Sequence, residues 1–436
     1  MWAARLSPRN LVATLANDSG PPLFYLLEKP FVLAGERFFS SDLLARLPSF
    51  AATLAVFGGA LVLPSRAAKL RFLLLASVSP LLALYSAEAR AYALLSVLVF
   101  ALFLLAADAR ETPGRLAAIA LLSAALLYTH YLALFAVGAA VAVAAAEKRP
   151  RAALAVLAGS LLFLFWVPVM ARQPHAAVAW MHEPAAELVT GLLSSFGGAG
   201  QIPHPFGAPL PPALVALGAG LGLLLALALA RVWRGDVRLR RAVAYLVLFF
   251  GGVVFASFAR PVAFAGRTEM AVLPIWLWTV ALGADRSRLA RLATWGVAAV
   301  SVLATLLLLE GHRGPPPPRP LEALERIARP GDVLFTGAHS YLPARLEADR
   351  GRLRLTLHAF PLSQASHPGW ANPTRLRPED LAEVQRALDS ADGDGRVFFQ
   401  VPPSYVHVLA PILTRRGVVR QIAESPEMVI LFWSAS

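Results

Sequence analysis

The chain has 436 residues, of which 57% are hydrophobic and 15% are charged, whereas a typical soluble domain carries about 25% charged residues. Its net charge is +13, but the basic residues cluster in alternate loops between apolar runs, which indicates membrane topology rather than nucleic-acid binding. We therefore expect no nucleic acid among its partners. The sequence contains no cysteine, which excludes disulfides and thiolate metal sites.

The first 41 residues are predicted to form helices at a membrane surface. Ser7 followed by Pro8 is a typical helix N-cap with proline in the first turn. Pro21 and Pro22 open a second segment, LFYLLEKPFVLAGERFF, which is too short and too polar to span a bilayer. Its aromatic residues suit the membrane interface.

Ten apolar runs follow between Asp42 and Glu310. Each has about 16 to 22 residues, enough for a helix to cross a hydrocarbon core of roughly 30 Å. They lack the period of two that a barrel strand requires, so they predict an α-helical polytopic protein in a lipid bilayer. The runs are 42–63, 69–85, 91–107, 115–130, 132–147, 151–171, 211–230, 241–258, 268–285 and 290–310.

The basic residues of the loops predict the orientation of these helices. Five alternate loops carry sixteen Lys and Arg residues and the four loops between them carry four, and basic loops face the cytoplasm. Residues 1–41 and the tail after Glu310 then lie on the outer side, so we expect a further membrane helix before Met1. The sixteen are Arg66, Lys69, Arg71, Arg110, Arg115, Lys148, Arg149, Arg151, Arg231, Arg234, Arg238, Arg240, Arg241, Arg286, Arg288 and Arg291, and the four are Arg90, Arg172, Arg260 and Arg267.

Two outer segments interrupt or follow the helices. The loop 172–210 contains Trp180 and a predicted short surface helix at 184–196, followed by sequence rich in Gly and Pro. A Pro-rich linker, 311–319, leads to residues 320–436, where apolar strand patterns alternate with helical ones. This alternation predicts a small α/β domain outside the membrane. The expected strands are DVLFTG, RLRLTLHAF, RVFFQVP and EMVILFWS, and the expected helices are PLEALERIA, RPEDLAEVQRALDSA and SYVHVLAPILTRRG.

Several chemically reactive or charged side chains map to the outer side. Glu88 and Arg90 lie in YSAEARAY (85–92), where they form either part of a site or an ion pair that ties two helix ends. Asp18 is either a site residue or the N-cap of a helix that begins at Pro21. His130 is either functional or a neighbour of the interfacial aromatic residues, and Arg267 is either a ligand-binding residue or an interfacial anchor.

Other polar residues on that side favour structural roles. Arg46 heads the stretch RLPS and is expected to hold the surface helices in place. His175, His182 and His204 lack the spacing of metal ligands, so the sequence assigns no metal site. It assigns no cofactor either, and it leaves open whether a divalent metal ion is required.

Four motifs in this order resemble one enzyme family over about residues 1–310. They are NDSGPPLFYLL (17–27), ARLPSFAATLAV (45–56), SPLLALYSAEARAYALL (79–95) and LLYTHYLALF (126–135). The chain resembles the polyprenyl-phosphate-sugar-dependent glycosyltransferases of the GT-C fold, the glycosyltransferase family 39-like group of bacterial protein-mannosyltransferases and aminoarabinose-transferase-like proteins. The resemblance implies a large first outer loop of juxtamembrane helices and commonly a C-terminal outer domain.

The resemblance also implies an activity at the periplasmic face of the bacterial inner membrane, in the cell envelope. A sugar would pass from a polyprenyl-phosphate donor to a lipid, glycan or protein acceptor. Such transfer needs a base for the proton of the acceptor and positive charge for the departing phosphate. The candidates are Asp18 and Glu88 as catalytic carboxylates, Arg90 and Arg267 as donor-phosphate ligands, and His130, Tyr131 and Tyr92 as further site residues.

Two features depart from the family pattern. The family usually carries an Asp-Glu pair just after its first membrane helix, a stretch that would precede Met1. It often has Asp-x-His-Pro-Pro where this chain has Gly20 before Pro21 and Pro22. The alternatives are therefore a truncated or degenerate inactive member, or a transporter or flippase for a lipid-linked glycan. Ionisable residues are scarce at the centres of the apolar runs, which favours chemistry at a surface over transport.

Overall fold

The computed structural model describes most of the chain. The described residues are 2–38, 41–107, 110–173, 185–200, 210–259, 262–311, Leu324, 326–337, 340–349, Gly351, 353–366, 376–391, 395–424 and 429–435. Trp180, His175, His182 and His204 lie outside them, as do the linker beyond Gly311 and most of the helix predicted from PLEALERIA.

The N-terminal segment folds into short helices, as the sequence predicts. They are α1 (Trp2–Arg5), α2 (Pro8–Leu15) and α3 (Leu23–Phe38). The Ser7 hydroxyl accepts a hydrogen bond from the Asn10 backbone N–H at 3.3 Å, which confirms the predicted cap of α2. Lys29 Nζ donates to the Leu6 carbonyl at 2.6 Å and fastens α3 to the turn before α2.

Helices also occupy each of the ten apolar runs. They are α4 (Ser41–Leu44) and α5 (Leu47–Val56) with the 3₁₀ turn 57–62, α6 (Arg66–Val78), α7 (Pro80–Ser86), α8 (Tyr92–Ala107), α9 (Pro113–Thr129), α10 (Ala133–Ala146), α11 (Pro150–Leu161), α12 (Val167–Met170), α14 (Pro212–Val232), α15 (Val237–Ser257), α16 (Leu273–Gly283) and α17 (Arg288–Gly311). In the described part of the chain, four helical stretches are long and apolar enough to cross a membrane, or five if α6 and α7 form one span. The remaining apolar helices are shorter, so the predicted count of ten spans is not reproduced by helix length.

The helix from the second run is broken rather than continuous. Helices α6 and α7 meet at Ser79 with a bend of 59°. Pro80 cannot donate the backbone hydrogen bond that a straight helix needs there, and the Ser79 hydroxyl caps α7 by accepting from Leu82 N. The bend turns α7 and the chain that follows it away from the direction of α6.

A further helix, α13 (Ala185–Phe196), lies where the sequence predicts a short helix in the long outer loop. It packs closely on α14 because glycines allow the two backbones to approach. A Cβ atom at Gly222 would lie 2.2 Å from the Leu193 carbonyl oxygen, so a larger residue there would separate the helices.

Ion pairs join the loops at the end of the bundle that carries the sixteen basic residues. Asp285 accepts from Arg71 at 2.6 Å and from the Ser65 hydroxyl at 2.5 Å, which links the start of α6 to the end of α16. Glu147 accepts from Arg241 at 2.8 Å and from Arg240 at 3.2 Å, which links α10 to α15. Part of this basic charge therefore holds helix ends together.

Among the described residues of the C-terminal region, five strands form one sheet in the order β2-β1-β3-β5-β4. Strands β2, β1 and β3, which begin at one edge, are parallel, whereas β5 is antiparallel to β3 and β4 is antiparallel to β5. Strand β4 and the helix Tyr341–Asp349 were not predicted; the other strands and the helices Pro378–Ser390 and Pro403–Thr414 match the sequence patterns. The strands are β1 (Val333–Thr336), β2 (Thr356–Ala359), β3 (Arg396–Val401), β4 (Gly417–Glu424) and β5 (Val429–Ala435).

One arginine connects this region to the N-terminal helices. Arg5, the last residue of α1, lies 2.9 Å from a Glu36 carboxylate oxygen and 3.3 Å from an Asp349 carboxylate oxygen. Glu36 belongs to α3, and Asp349 ends the helix before β2. The C-terminal region therefore contacts the N-terminal helices directly.

Candidate active site

Polar and aromatic side chains from distant parts of the sequence meet at the end of the bundle opposite the Glu147 and Asp285 ion pairs. Four segments contribute: the turn before α3 (16–22), the turn between α7 and α8 (87–91), the turn between α9 and α10 (130–132), and the described part of the loop before α16 (262–272). Three of them follow or precede a helix whose other end lies among the basic loops, and the turn before α3 lies within the N-terminal segment.

Glu88 and Arg90 form an ion pair within the turn between α7 and α8. Arg90 Nε lies 3.7 Å from Glu88 Oε2, and the Arg90 N–H donates to the Glu88 carbonyl at 2.9 Å. The Ser49 hydroxyl of α5 donates to the Arg90 carbonyl at 3.1 Å, so the ARLPSF segment supports this turn. The Arg90 side chain is 36% exposed and that of Glu88 is 17% exposed, so the guanidinium is the more accessible group.

Two more arginines besides Arg90 influence the Glu88 carboxyl electrostatically. Burial raises the pKa of the Glu88 carboxyl, and the positive charges of Arg90, Arg267 and Arg46 partly oppose that rise. Three guanidinium groups from three separate segments thus act electrostatically on Glu88, and that of Arg90 is in ion-pair contact with it.

Arg267 is buried and is presented by a tightly bonded loop. The phenol of Tyr85 donates to the Gly266 carbonyl at 2.7 Å, and the Gly266 N–H donates to Glu269 Oε1 at 2.7 Å. Gly266 adopts a φ of +83°, a conformation in which a Cβ atom is disfavoured. These bonds hold the peptide on the N-terminal side of Arg267 in one orientation.

An aromatic stack connects Arg267 to His130. The Tyr92 ring centroid lies 4.9 Å from that of Tyr85 and 5.1 Å from that of His130, and the Arg267 guanidinium carbon lies 6.0 Å from the Tyr92 centroid. Burial and then the charge of Arg267 lower the pKa of His130 to about 4. Its Nδ1 accepts from the Leu132 N–H at 3.1 Å, so the neutral imidazole carries its proton on Nε2 and can donate from there.

Asp18 lies in the turn between α2 and α3. Its Oδ1 accepts from the Ser19 N–H at 2.7 Å, and α3 begins five residues later at Leu23. The carboxylate therefore does not occupy the N-cap position of α3, which was the structural alternative. Burial raises the pKa of Tyr25, the charge of Asp18 raises it further, and the charge of Arg90 opposes that rise.

A hydrogen-bond network connects the Asp18 turn to the turn between α9 and α10. Gln173 Oε1 accepts from the Tyr131 hydroxyl at 2.7 Å, and Gln173 Nε2 donates to the Leu15 carbonyl at 2.7 Å and to the Gly20 carbonyl at 3.2 Å. The Tyr131 hydroxyl also accepts from Trp166 Nε1 at 3.0 Å.

The geometry brings together the residues proposed from the sequence in two adjoining groups. Glu88, Arg90, Tyr92, His130 and Arg267 form the first. Asp18 and Tyr131 belong to the second, which is joined through Gln173 and adjoins the first where Tyr131 follows His130.

Sequence reasoning missed Tyr25, Tyr85, Gln173 and Glu269 and assigned Arg46 a structural role only. Tyr85 and Glu269 are close in sequence to Arg90 and Arg267, which could have drawn attention to them, whereas Gln173 had no such signal. Within the described residues, no group of three or more His, Asp or Glu side chains could hold a metal ion.

Comparisons with known proteins identify a similar fold but no family by sequence. No family model matches the chain, and no curated protein matches it. The crystal structure of ArnT from Cupriavidus metallidurans bound to undecaprenyl phosphate is similar, with a TM-score of 0.57 and 14% sequence identity. The match covers 94% of this chain and 87% of that chain. At this identity the likeness shows the fold alone, which is a GT-C-like membrane fold.

Proposed function

We propose that this protein is a membrane glycosyltransferase that moves a sugar from a polyprenyl-phosphate-linked donor to a lipid, glycan or protein acceptor. The reaction would take place at the periplasmic face of the bacterial inner membrane. The proposed division of the chain is a juxtamembrane segment (1–41), a transmembrane domain (42–310), a linker (311–319) and a periplasmic α/β domain (320–436).

The observation that carries this proposal is that Arg90, paired with Glu88 at 3.7 Å, and the buried Arg267, whose guanidinium lies over the Tyr92 ring, meet at one end of the bundle. Guanidinium groups bind phosphate through charge-assisted hydrogen bonds. The group lies at the ends of helices, where a lipid carrier in the bilayer would be expected to present its phosphate to water. ArnT, whose fold this chain resembles, was crystallised with such a lipid phosphate.

In the proposed reaction, a nucleophilic oxygen or nitrogen of the acceptor attacks the anomeric carbon of the donor sugar. The bond from that carbon to the phosphate oxygen breaks, and the electron pair leaves with polyprenyl phosphate. Arg90 and Arg267 stabilise the charge on the departing phosphate. Asp18 takes the proton of the acceptor, Glu88 orients Arg90, and the single displacement inverts the anomeric carbon.

The neighbouring neutral groups complete this site. His130 offers an Nε2–H donor beside Arg267, and Tyr92 supports both through its ring. The Tyr131 hydroxyl stands at the boundary with the Asp18 turn. No step in this scheme requires a metal ion.

The outer location rests on two supports. The basic loops and the candidate site lie at opposite ends of the helices, and basic loops face the cytoplasm. The contact of Arg5 with Asp349 puts the C-terminal region beside the N-terminal helices, at the end of the bundle where Asp18 lies.

The test uses the purified full chain in phospholipid nanodiscs with a panel of polyprenyl-phosphate-linked sugars and a membrane lipid extract as acceptor. Mass spectrometry would follow the release of polyprenyl phosphate. We expect release with at least one donor, and none with Arg90→Ala. Movement of labelled donor lipid between leaflets of proteoliposomes without sugar release would favour a flippase. Binding of undecaprenyl phosphate without transfer would favour an inactive member.

A further inference from the structure

We propose that Gln173 is a positioning residue that fixes the Asp18 turn against the turn between α9 and α10. We call the hydrogen bonds of Gln173 with Leu15, Gly20 and Tyr131 the clasp. The clasp is a property of the fold, and only its expected effect on the reaction rate rests on the proposed function. Gln173 lies beyond the end of α12, and its two hydrogen-bonded partners in the N-terminal segment are 158 and 153 residues away in sequence.

One amide group uses both of its N–H donors and its carbonyl oxygen in this clasp. Its two N–H groups point to the carbonyls of Leu15 and Gly20, which bound the Asp18 turn, and its oxygen accepts from Tyr131. Within the turn the Asp18 N–H donates to the Leu15 carbonyl at 3.2 Å. Gln173 is therefore a side chain that binds both ends of the turn, in addition to the backbone hydrogen bonds within it.

The chemistry of the clasp is specific to a glutamine. A glutamate has the same shape but carries two acceptor oxygens, which would repel the two carbonyls and the nearby Asp18 charge. A methionine fills similar space without any donor. Asparagine is one methylene shorter and cannot span the same three partners.

The position of Asp18 follows from the clasp. A base transfers a proton efficiently only when it lies within hydrogen-bond reach of the acceptor group, and a displacement of about 1 Å can reduce a rate about 100-fold. Releasing the turn should therefore slow the chemical step and leave the arginine group that binds the donor phosphate in place.

The experiment compares wild type with Gln173→Met, Gln173→Glu and the matched control Tyr128→Phe in nanodiscs. Tyr128 lies in the last turn of α9, three residues before Tyr131. Its hydroxyl donates to the Leu162 carbonyl at 2.9 Å, outside both groups of the site. Hydrogen exchange measured by mass spectrometry reports on residues 13–20 without any requirement for activity. We expect faster exchange there in both Gln173 variants, and wild-type exchange in Tyr128→Phe.

The kinetic measurement separates positioning from general structural damage. We expect kcat to fall about 10- to 100-fold in Gln173→Met with KM for the polyprenyl donor unchanged, and no change in Tyr128→Phe. Unaltered exchange in residues 13–20 would overturn the clasp even if wild type proves inactive. A raised KM with wild-type kcat would overturn its role in placing Asp18. If exchange accelerates but wild type transfers no sugar, the proposed function fails and the clasp stands.

Discussion

The Tyr85 phenol donates a hydrogen bond of 2.7 Å to the Gly266 carbonyl, and so joins residues that are 181 positions apart. This bond holds the loop before α16 (262–272), which we call the Arg267 loop, against the end of α7. The broken helix brings Tyr85 to that point, because α7 departs from the direction of α6 by 59°. The bend thus helps to place the loop that carries the buried Arg267 beside the end of α7, two residues before Glu88.

Loss of this bond should displace Arg267. We expect Tyr85→Phe to leave the buried Gly266 carbonyl unsatisfied, at a cost of about 1–3 kcal/mol in the free energy of unfolding. Gly266→Ala should cost about 1–2 kcal/mol through its positive φ. Thermal unfolding in detergent measures both, and Gly58→Ala, where a Cβ meets nothing within 4 Å, is the matched control.

Arg90 should be essential for transfer but not for folding. We expect Arg90→Ala to reduce the rate at least about 100-fold, because the charge on the departing phosphate would lose a donor. The matched control is Arg286→Ala at the other end of the bundle, where Arg286 pairs with Asp236 at 3.1 Å. Equal losses in the two variants would show that the effect is not specific to the site.

Asp18 should be needed as a carboxylate. We expect Asp18→Asn to lower the rate by about 100- to 10,000-fold, the range for removal of a general base, with unfolding temperature unchanged. The substitution keeps an acceptor oxygen for the Ser19 N–H, so the turn should persist. Wild-type turnover in Asp18→Asn would remove this residue from the mechanism.

Protonation of Glu88 should stabilise the fold but lower the transfer rate. Burial raises the pKa of Glu88 above its usual 4.5, so at pH values just above 4.5 the folded state binds a proton that the unfolded state lacks. Stability is therefore lost as pH rises through that window, whereas orientation of Arg90 is lost as pH falls through it. We expect Glu88→Gln to raise the unfolding temperature at pH 7.5, lower the transfer rate and remove the acidic limb of the pH–rate profile. An unchanged acidic limb would contradict this assignment.

His130 should make the fold sensitive to mild acid. Its pKa of about 4 lies below the usual 6.5, so between these values the unfolded state binds a proton that the folded state excludes. Stability should therefore fall as pH drops from 7 toward 4. We expect His130→Gln to lose less in unfolding temperature between pH 7 and pH 5 than wild type does, and an identical loss would rule out the neutral imidazole.

Local sequence signals predicted the parts of the fold that local chemistry determines. The Ser7 cap and the strands β1, β3 and β5 follow from short patterns of capping and apolar residues. Strand β4 was missed because GVVRQIAE carries exposed Val418 and Ile422 on an edge that pairs on one side only. The start of α16 was placed too early because residues 268–272 form part of the Arg267 loop.

The residues of the candidate site also divide into those that local sequence signals predicted and those that only the folded structure brings together. Glu88, Arg90 and Arg267 were identified because charged residues are rare beside apolar runs. Gln173 was not, since its contacts join residues more than 150 positions apart and leave no periodic pattern in the sequence. The clasp is visible only once the chain has folded.

The bridge from Glu36 through Arg5 to Asp349 has a mechanical consequence. Partly exposed ion pairs contribute only ~0–1 kcal/mol each, so this tether breaks and reforms readily and loosens as ionic strength rises. Arg5 is connected to the Asp18 turn both along the chain through α2 and through its ion pair with Glu36 of α3. The contact that Arg5 makes between the C-terminal region and the N-terminal helices should therefore weaken as the salt concentration of the surroundings rises.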